Sequence, residues 1–350
     1  LPSVIFGVLA IVMVVDIGER LKLWRGATLL AAALMAVLPA QLHYGQEARM
    51  YALLQFEFLF GVWAALSRRW WVMCIALSTL LWTHNYGLLY FPVVALIGLW
   101  QVSRQCLERN VAVITSWPLR HWAWACIVAA GSWLPWLSVL VAQMRAVDDG
   151  YWLQPITLGA VLYPFYFLAW GFSSTATAQI HAALIVFGVV GFAIVQAARE
   201  RHGRAMMLAA AALAPWALAI IISLAWKPML LFRGLVPSAG LLSLLVAWSL
   251  TYDTNRLSRW AMTFIAVPVL MASLVSYYVH ISDQKGGALP VIAIIEWQPG
   301  DVEAAYQVAG AGRRDLLASQ EVQIKSIASS RLEELGNILA EHLSSPETER

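Results

Sequence analysis

Apolar residues along this chain come in long runs broken by short clusters of charge, and those runs set the predicted elements. A helix needs roughly 20 apolar residues to cross the hydrocarbon of a bilayer, with about 17 to 25 admitted by tilt. Such runs are expected near residues 2–18, 26–43, 50–66, 70–84, 86–102, 121–142, 179–198, 205–226, 232–251 and 259–279. The fold class that follows is all-α: a polytopic transmembrane helical bundle of about ten spans. Leu158 to Trp170 is also apolar, but it is short and interrupted by Pro164, and it reads as an interfacial segment.

After Tyr278 the pattern changes. Residues 280–350 contain Gly286-Gly287, Pro290, Pro299-Gly300 and a charged, helical-looking stretch from Arg313 onward. Two regions are therefore expected: a membrane domain over 1–279 and a short extracytoplasmic C-terminal tail over 280–350, partly disordered for want of apolar residues.

Composition agrees with this picture. Hydrophobic residues make up 61% of the chain and charged residues only 12%, against a globular norm of roughly half apolar and a quarter charged. Many of the 18 Trp and 11 Tyr stand at the ends of apolar runs, where amphipathic rings favour the headgroup layer. The formal net charge of +3 suggests no nucleic-acid partner. The distribution of the cations is more informative than their sum. The segments 18–26, 67–69, 103–121, 198–204 and 252–259 hold thirteen Lys or Arg, whereas the alternate segments hold only Arg49, Arg145, Lys227 and Arg233. By the positive-inside rule the first set faces the cytoplasm. The first span then runs from outside to inside, and with the opening Leu1-Pro2-Ser3 this leads to the expectation of at least one further helix upstream.

Cys74, Cys106 and Cys126 form no Cys-x-x-Cys pair and read as packing residues. No phosphate-binding Gly-rich loop and no His-Glu-x-x-His sequence occurs, so nothing points to an ATPase, a dinucleotide enzyme or a zinc protease. Ionisable residues near membrane depth are the ones to ask about function, and here they collect on the expected outer face. The run Tyr44-Gly45-Gln46-Glu47-Ala48-Arg49-Met50-Tyr51 joins two spans. If the second helix starts at Glu47, then Glu47 and Tyr51 share a face, as a site for polar ligand groups or as a helix cap at the boundary. Thr83-His84-Asn85-Tyr86 forms a second outer turn, with His84 a ligand, a base or a hydrogen-bonded boundary residue. Asp148 and Asp149 in the long loop 143–178 are acid, base or metal-ligand candidates, or a solvated turn. Lys227 and Arg233 bracket a short apolar loop, fit either to hold a phosphate or to anchor in lipid headgroups.

Several of these segments resemble one family. Leu1 to Gly7, the Tyr44–Tyr51 run, Thr83-His84-Asn85-Tyr86, Phe232-Arg233-Gly234-Leu235-Val236-Pro237 and Trp297-Gln298-Pro299-Gly300-Asp301 are similar, in order, to stretches of the C-type multi-spanning glycosyltransferases. The likeness is to the dolichyl-phosphate-mannose-protein mannosyltransferase and aminoarabinose-transferase type, especially its bacterial members. Gly234 stands where an aromatic is common in that family.

The resemblance implies transfer of a sugar from a polyprenyl-phosphate carrier to a lipid, glycan or protein acceptor, at the outer face of the bacterial plasma membrane. In such enzymes an acid deprotonates the acceptor hydroxyl while cations, and sometimes a divalent metal, stabilise the departing lipid phosphate. It implies catalytic roles for Glu47, Arg49 and His84, and a carrier-phosphate role for Lys227 and Arg233. Tyr44, Gln46, Tyr51, Asn85 and Tyr86 would line the cavity, and Asp148 and Asp149 are added to that lining by their loop position alone. The family's principal acid lies in a first outer loop that would precede residue 1, so an N-terminally truncated, inactive form is one alternative. A lipid or polysaccharide transporter or flippase is another, since it would share the span count.

Overall fold

The computed structural model describes residues 2–110, 112–113, 116–146, 156–170, 176–252 and 275. Eleven α-helices and one 3-10 segment account for most of them, and no strand occurs among the described residues. The order is α1 (Pro2–Arg20), α2 (Arg25–Val37), α3 (Pro39–Gln46), α4 (Tyr51–Leu66), α5 (Trp70–Thr83), α6 (Gly87–Arg109), α7 (Trp117–Ala146), α8 (Leu158–Trp170), α9 (Ala176–Arg199) and α10 (Gly203–Ala225). A 3-10 segment, Phe232–Ser238, and α11 (Ala239–Thr251) complete it. The expected tail over 280–350 and the last expected span, 259–279, lie outside the described residues.

The all-α membrane architecture is as the apolar runs predict, but the runs do not all become full-length spans. Among the described residues, five stretches are long and apolar enough to cross a membrane: α1, α6, α7, α10 and Arg233–Thr251. A sixth is reached if α2 and α3 are taken as one broken span, bent by 58°. The helices α4 and α5 are apolar but shorter; the 16 residues of α4 reach only about 24 Å at roughly 1.5 Å per residue, short of a hydrocarbon core of about 30 Å. Among the described residues, length and composition thus give five or six candidate spans, and the expected span over 259–279 is not among those residues.

The break in the expected 26–43 span has a local cause. Pro39 lacks an N–H and forces the residue before it toward extended backbone. Leu38 accordingly sits at φ −62, ψ 127, closing α2 and opening α3 with Pro at the first position. The expected 232–251 span likewise begins as a 3-10 turn containing Pro237.

Packing places α4 at the centre, against α1, α5, α6 and the 3-10 segment. It buries residues on all sides, including Leu54, Phe58, Leu59 and Val62, as expected for an interior helix. Helix α1 instead buries Gly7, Ala10, Val14, Ile17 and Gly18, a stripe at helical spacing, and turns Val4, Ile5, Val8 and Val12 outward. Helix α7 exposes Trp124, Ile127, Val128, Leu134 and Leu137. Large apolar faces of this kind suit lipid contact rather than water. Helix α8 buries Phe165, Tyr166 and Phe167 and packs against α9, α3 and the 3-10 segment.

One end of the bundle carries a repeated device. Three helices stop through a left-handed residue that is a cation: Lys22 after α1, Arg68 after α4 and Arg201 after α9, with φ of 53°, 56° and 50°. Each closes the same pair of hydrogen bonds, Lys22 N–H to Glu19 O with Leu23 N–H to Gly18 O, and the equivalents from Arg68 and Arg69 to Ala65 and Ala64 and from Arg201 and His202 to Ala198 and Ala197. These are Schellman endings, in which glycine is the usual left-handed residue. Asn110 ends α6 in the same conformation, at φ 52°.

Candidate functional site

The opposite end gathers three polar segments that are far apart in sequence. The first is the turn from α3 to α4. Glu47 caps α3 in extended backbone, its N–H bonded to His43 O, and α4 does not begin until Tyr51. The expectation that Glu47 opens the next helix and shares a face with Tyr51 is therefore corrected: residues 47–50 form the turn itself. Glu47 Oε1 pairs with Arg49 Nε at 2.9 Å, and Oε2 lies 3.6 Å from His43 Nε2. Together with Ser3, Phe6, Gln46 and Met50, Glu47 and Arg49 line a groove of about 290 Å³ beside the start of α1.

Tyr44 and Tyr51 turn inward from this segment and are buried, ring to ring at 4.7 Å. Phe167 of α8 meets Tyr44 at 5.9 Å, and His84 meets Tyr51 at 5.7 Å. His84 belongs to the second segment, the tight turn between α5 and α6, where Gly87 N–H donates to His84 O. This turn requires glycine at 87, since a Cβ there would stand 2.3 Å from the Leu80 carbonyl oxygen. The Tyr86 N–H donates to His84 Nδ1 at 2.9 Å. Burial and then the Arg233 charge hold the His84 imidazole below its ordinary value of 6.5, so at neutral pH the ring is uncharged with its proton on Nε2.

The third segment is 226–238. Two prolines, Pro228 and Pro237, keep it from forming a regular helix, so its backbone groups need partners from elsewhere. Tyr86 supplies two, donating to Met229 O and accepting from Leu231 N–H at 3.1 Å. Tyr90 donates to Gly234 O, and Gln55 of α4 donates to Val236 O at 2.9 Å. Gly234 lies against the Tyr86 ring, where a Cβ would come within 2.8 Å of it. A bulkier residue there, as the family resemblance has it, would require a different Tyr86. Held in this way, the Arg233 guanidinium stands over the Tyr51 ring, 5.9 Å from its centre. The Tyr44 hydroxyl is within electrostatic reach of Arg233, Glu47 and Arg49 alike.

The structure thus brings together Tyr44, Tyr51, His84, Tyr86 and Arg233, with the Glu47–Arg49 pair alongside. Gln46 and Asn85 are exposed at the same end, and Lys227 is half-buried in the 226–238 segment. Asp148 and Asp149 lie outside the described residues. Among the described residues no three metal-ligating side chains converge. Glu47 and His43 are two such side chains that lie together, 3.6 Å apart.

Glu57 escapes the motif-based reading. It is buried in α4, only 6% exposed, and its Oε1 accepts from Thr83 Oγ1 at 3.0 Å, one residue before His84. Its Oε2 has no hydrogen-bond partner among the described residues. The signal was a lone acid inside an apolar run, Phe56-Glu57-Phe58, which a window average hides but the high cost of a charge at membrane depth makes notable. Gln55 and Tyr90 were equally unmarked, since their partners lie 181 and 144 residues away.

No family model matches this chain, and no curated protein does. Among solved structures, the Archaeoglobus fulgidus oligosaccharyltransferase in its apo form is similar at 14% sequence identity, with a TM-score of 0.42. The match covers 91% of this chain and 48% of that one, so the chain spans about half the length of that enzyme. A likeness this distant assigns neither family nor activity.

Proposed function

We propose that this chain is a membrane glycosyltransferase, moving a sugar from a polyprenyl-phosphate carrier to a lipid, glycan or protein acceptor at the extracytoplasmic face of the plasma membrane. One observation supports it most: three of the segments that resemble the C-type glycosyltransferases, 44–51, 83–86 and 232–237, meet at the end of the bundle away from the basic loops, with Arg233 over Tyr51 and beside His84. An arginine held in this way presents in-plane N–H donors suited to the two oxygens of a phosphate. In the transfer, the acceptor O–H gives its proton to a carboxylate, for which Glu47 is the candidate, and a new bond forms from the acceptor oxygen to the sugar's anomeric carbon. The bond from that carbon to the carrier phosphate breaks, and the phosphate keeps the electron pair, its charge met by Arg233. Uncharged His84, its Nδ1 occupied by the Tyr86 N–H, retains an Nε2–H for donation.

The test is reconstitution of the full chain in liposomes with a panel of polyprenyl-phosphate sugars, scoring release of the carrier phosphate. Loss of a transition-state donor lowers turnover by about 10²–10³, and that is the drop expected for Arg233→Ala, with a comparable loss for Glu47→Gln. Turnover equal to wild type in both variants refutes the site. A folded chain that turns over no donor in the panel refutes the activity.

A further inference from the structure

The end that carries the basic loops has a cavity of its own, about 370 Å³ in volume, within the roughly 300–1,000 Å³ of small-molecule sites. Four helices far apart in sequence build it. Arg20 and Lys22 come from the end of α1, Arg68 from the end of α4, Arg104 from α6 and Arg204 from the start of α10. Its walls hold five cations against two carboxylates, Glu19 and Glu108, a surplus of three positive charges. Only one of the two acids is engaged among the described residues, Glu108 with Arg68 at 3.5 Å.

Four of the five cations have a partner that orients them, while Lys22 is exposed. Arg104 lies over the Trp100 ring at 5.1 Å, Arg20 over Trp63 at 5.9 Å, and Arg204 Nη1 donates to Leu21 O at 2.9 Å. A guanidinium stacked on an aromatic face uses its flat surface and keeps its N–H donors in plane. So many like charges around one cavity repel unless an anion is shared between them. Trp63, Trp100 and the buried Leu66 set the cavity at the border of the apolar bundle, the depth at which interfacial aromatics and lipid phosphates meet.

We propose that this cavity binds a polyanionic phosphate group, two phosphates carried close together, as in a bis-phosphate lipid headgroup or a soluble diphosphate. Arg104 and Arg20 meet the oxygens with their forks, and Lys22 adds a point charge. The site stands at the far end of α1 from the groove at Glu47, some 19 helical residues away, and does not depend on the glycosyltransferase proposal.

The test uses the full chain in detergent, with native mass spectrometry reading retained cardiolipin against phosphatidylcholine, and calorimetry reading inorganic pyrophosphate. Each cation near an anionic headgroup is worth on the order of fivefold in affinity, so Lys22→Gln with Arg104→Gln is expected to weaken cardiolipin binding by about 20-fold. Arg104→Lys, which keeps the charge and loses the fork, should fall between. Arg109→Gln removes an exposed cation at the same end that does not line the cavity, and should stay within about twofold of wild type. Cardiolipin retention without pyrophosphate binding identifies the headgroup as the source, and pyrophosphate binding identifies the soluble anion; either upholds the site. Equal retention of cardiolipin and phosphatidylcholine without pyrophosphate binding overturns it, as does an equal loss in the double variant and in Arg109→Gln.

Discussion

Gly234→Ala is the sharpest perturbation of the candidate site. An added Cβ would stand 2.8, 3.0 and 3.3 Å from three carbons of the Tyr86 ring. The backbone at Gly234 is outside the left-handed region, so the whole effect is steric. The ring cannot simply withdraw, because its hydroxyl is bonded to both Met229 O and Leu231 N–H. Either the clash remains, at about 1–3 kcal/mol for an overpacked core, or the ring shifts and gives up bonds worth roughly 0.5–1.5 kcal/mol each. Both routes predict a loss of about 1–3 kcal/mol, read as a thermal midpoint lowered by about 2–4 °C per kcal/mol. The assay is thermal unfolding in detergent, with Gly45→Ala as control, since a Cβ at Gly45 meets nothing within 4 Å. In a Tyr86→Ala background the Gly234→Ala cost should nearly vanish, a coupling within about 0.5–3 kcal/mol. A midpoint for Gly234→Ala equal to that of Gly45→Ala, or the same cost with and without the Tyr86 ring, refutes the steric lock.

Other outcomes follow from the same geometry. Gln55→Leu removes the donor to the Val236 carbonyl, and a buried acceptor left unsatisfied costs about 1–3 kcal/mol; an unchanged midpoint would show that the bond contributes nothing. Glu57→Gln keeps an oxygen for Thr83 Oγ1 while removing a buried carboxyl, so stability should be equal or higher, and a marked loss by the same assay would contradict this. The His84 value is lowered in the folded chain by burial and then by Arg233. Its contribution is thus fully present above the ordinary 6.5 and is lost as pH falls through the lower folded value. The thermal midpoint of wild type should drop more than that of His84→Gln between about pH 7 and pH 5; His202 is present in both, so equal drops would exclude His84 as the source.

How much of this was legible in the chain divides along physical lines. Helix positions were readable because lipid demands unbroken apolar runs and because Arg20, Arg68 and Arg109 punctuate them. The convergence of Tyr44–Tyr51, His84 and Arg233 was foreshadowed by the alternation of basic and non-basic turns. What local reading could not supply were contacts across long separations, such as Tyr86 with Leu231, and the burial of α8, whose neighbours rather than its composition decide its place. The bend at Leu38–Pro39 was visible as a proline, yet hydropathy averages pass over it.

The Schellman endings at Lys22, Arg68 and Arg201 have a consequence for biosynthesis. A glycine at each would fit the left-handed backbone with less strain, but it would delete a cation from a flank that guides which way a nascent helix is threaded into the bilayer. The same residue therefore both stops the helix and helps orient it during insertion. Replacing it with glycine would ease the finished fold while weakening the orienting signal that operates before that fold exists.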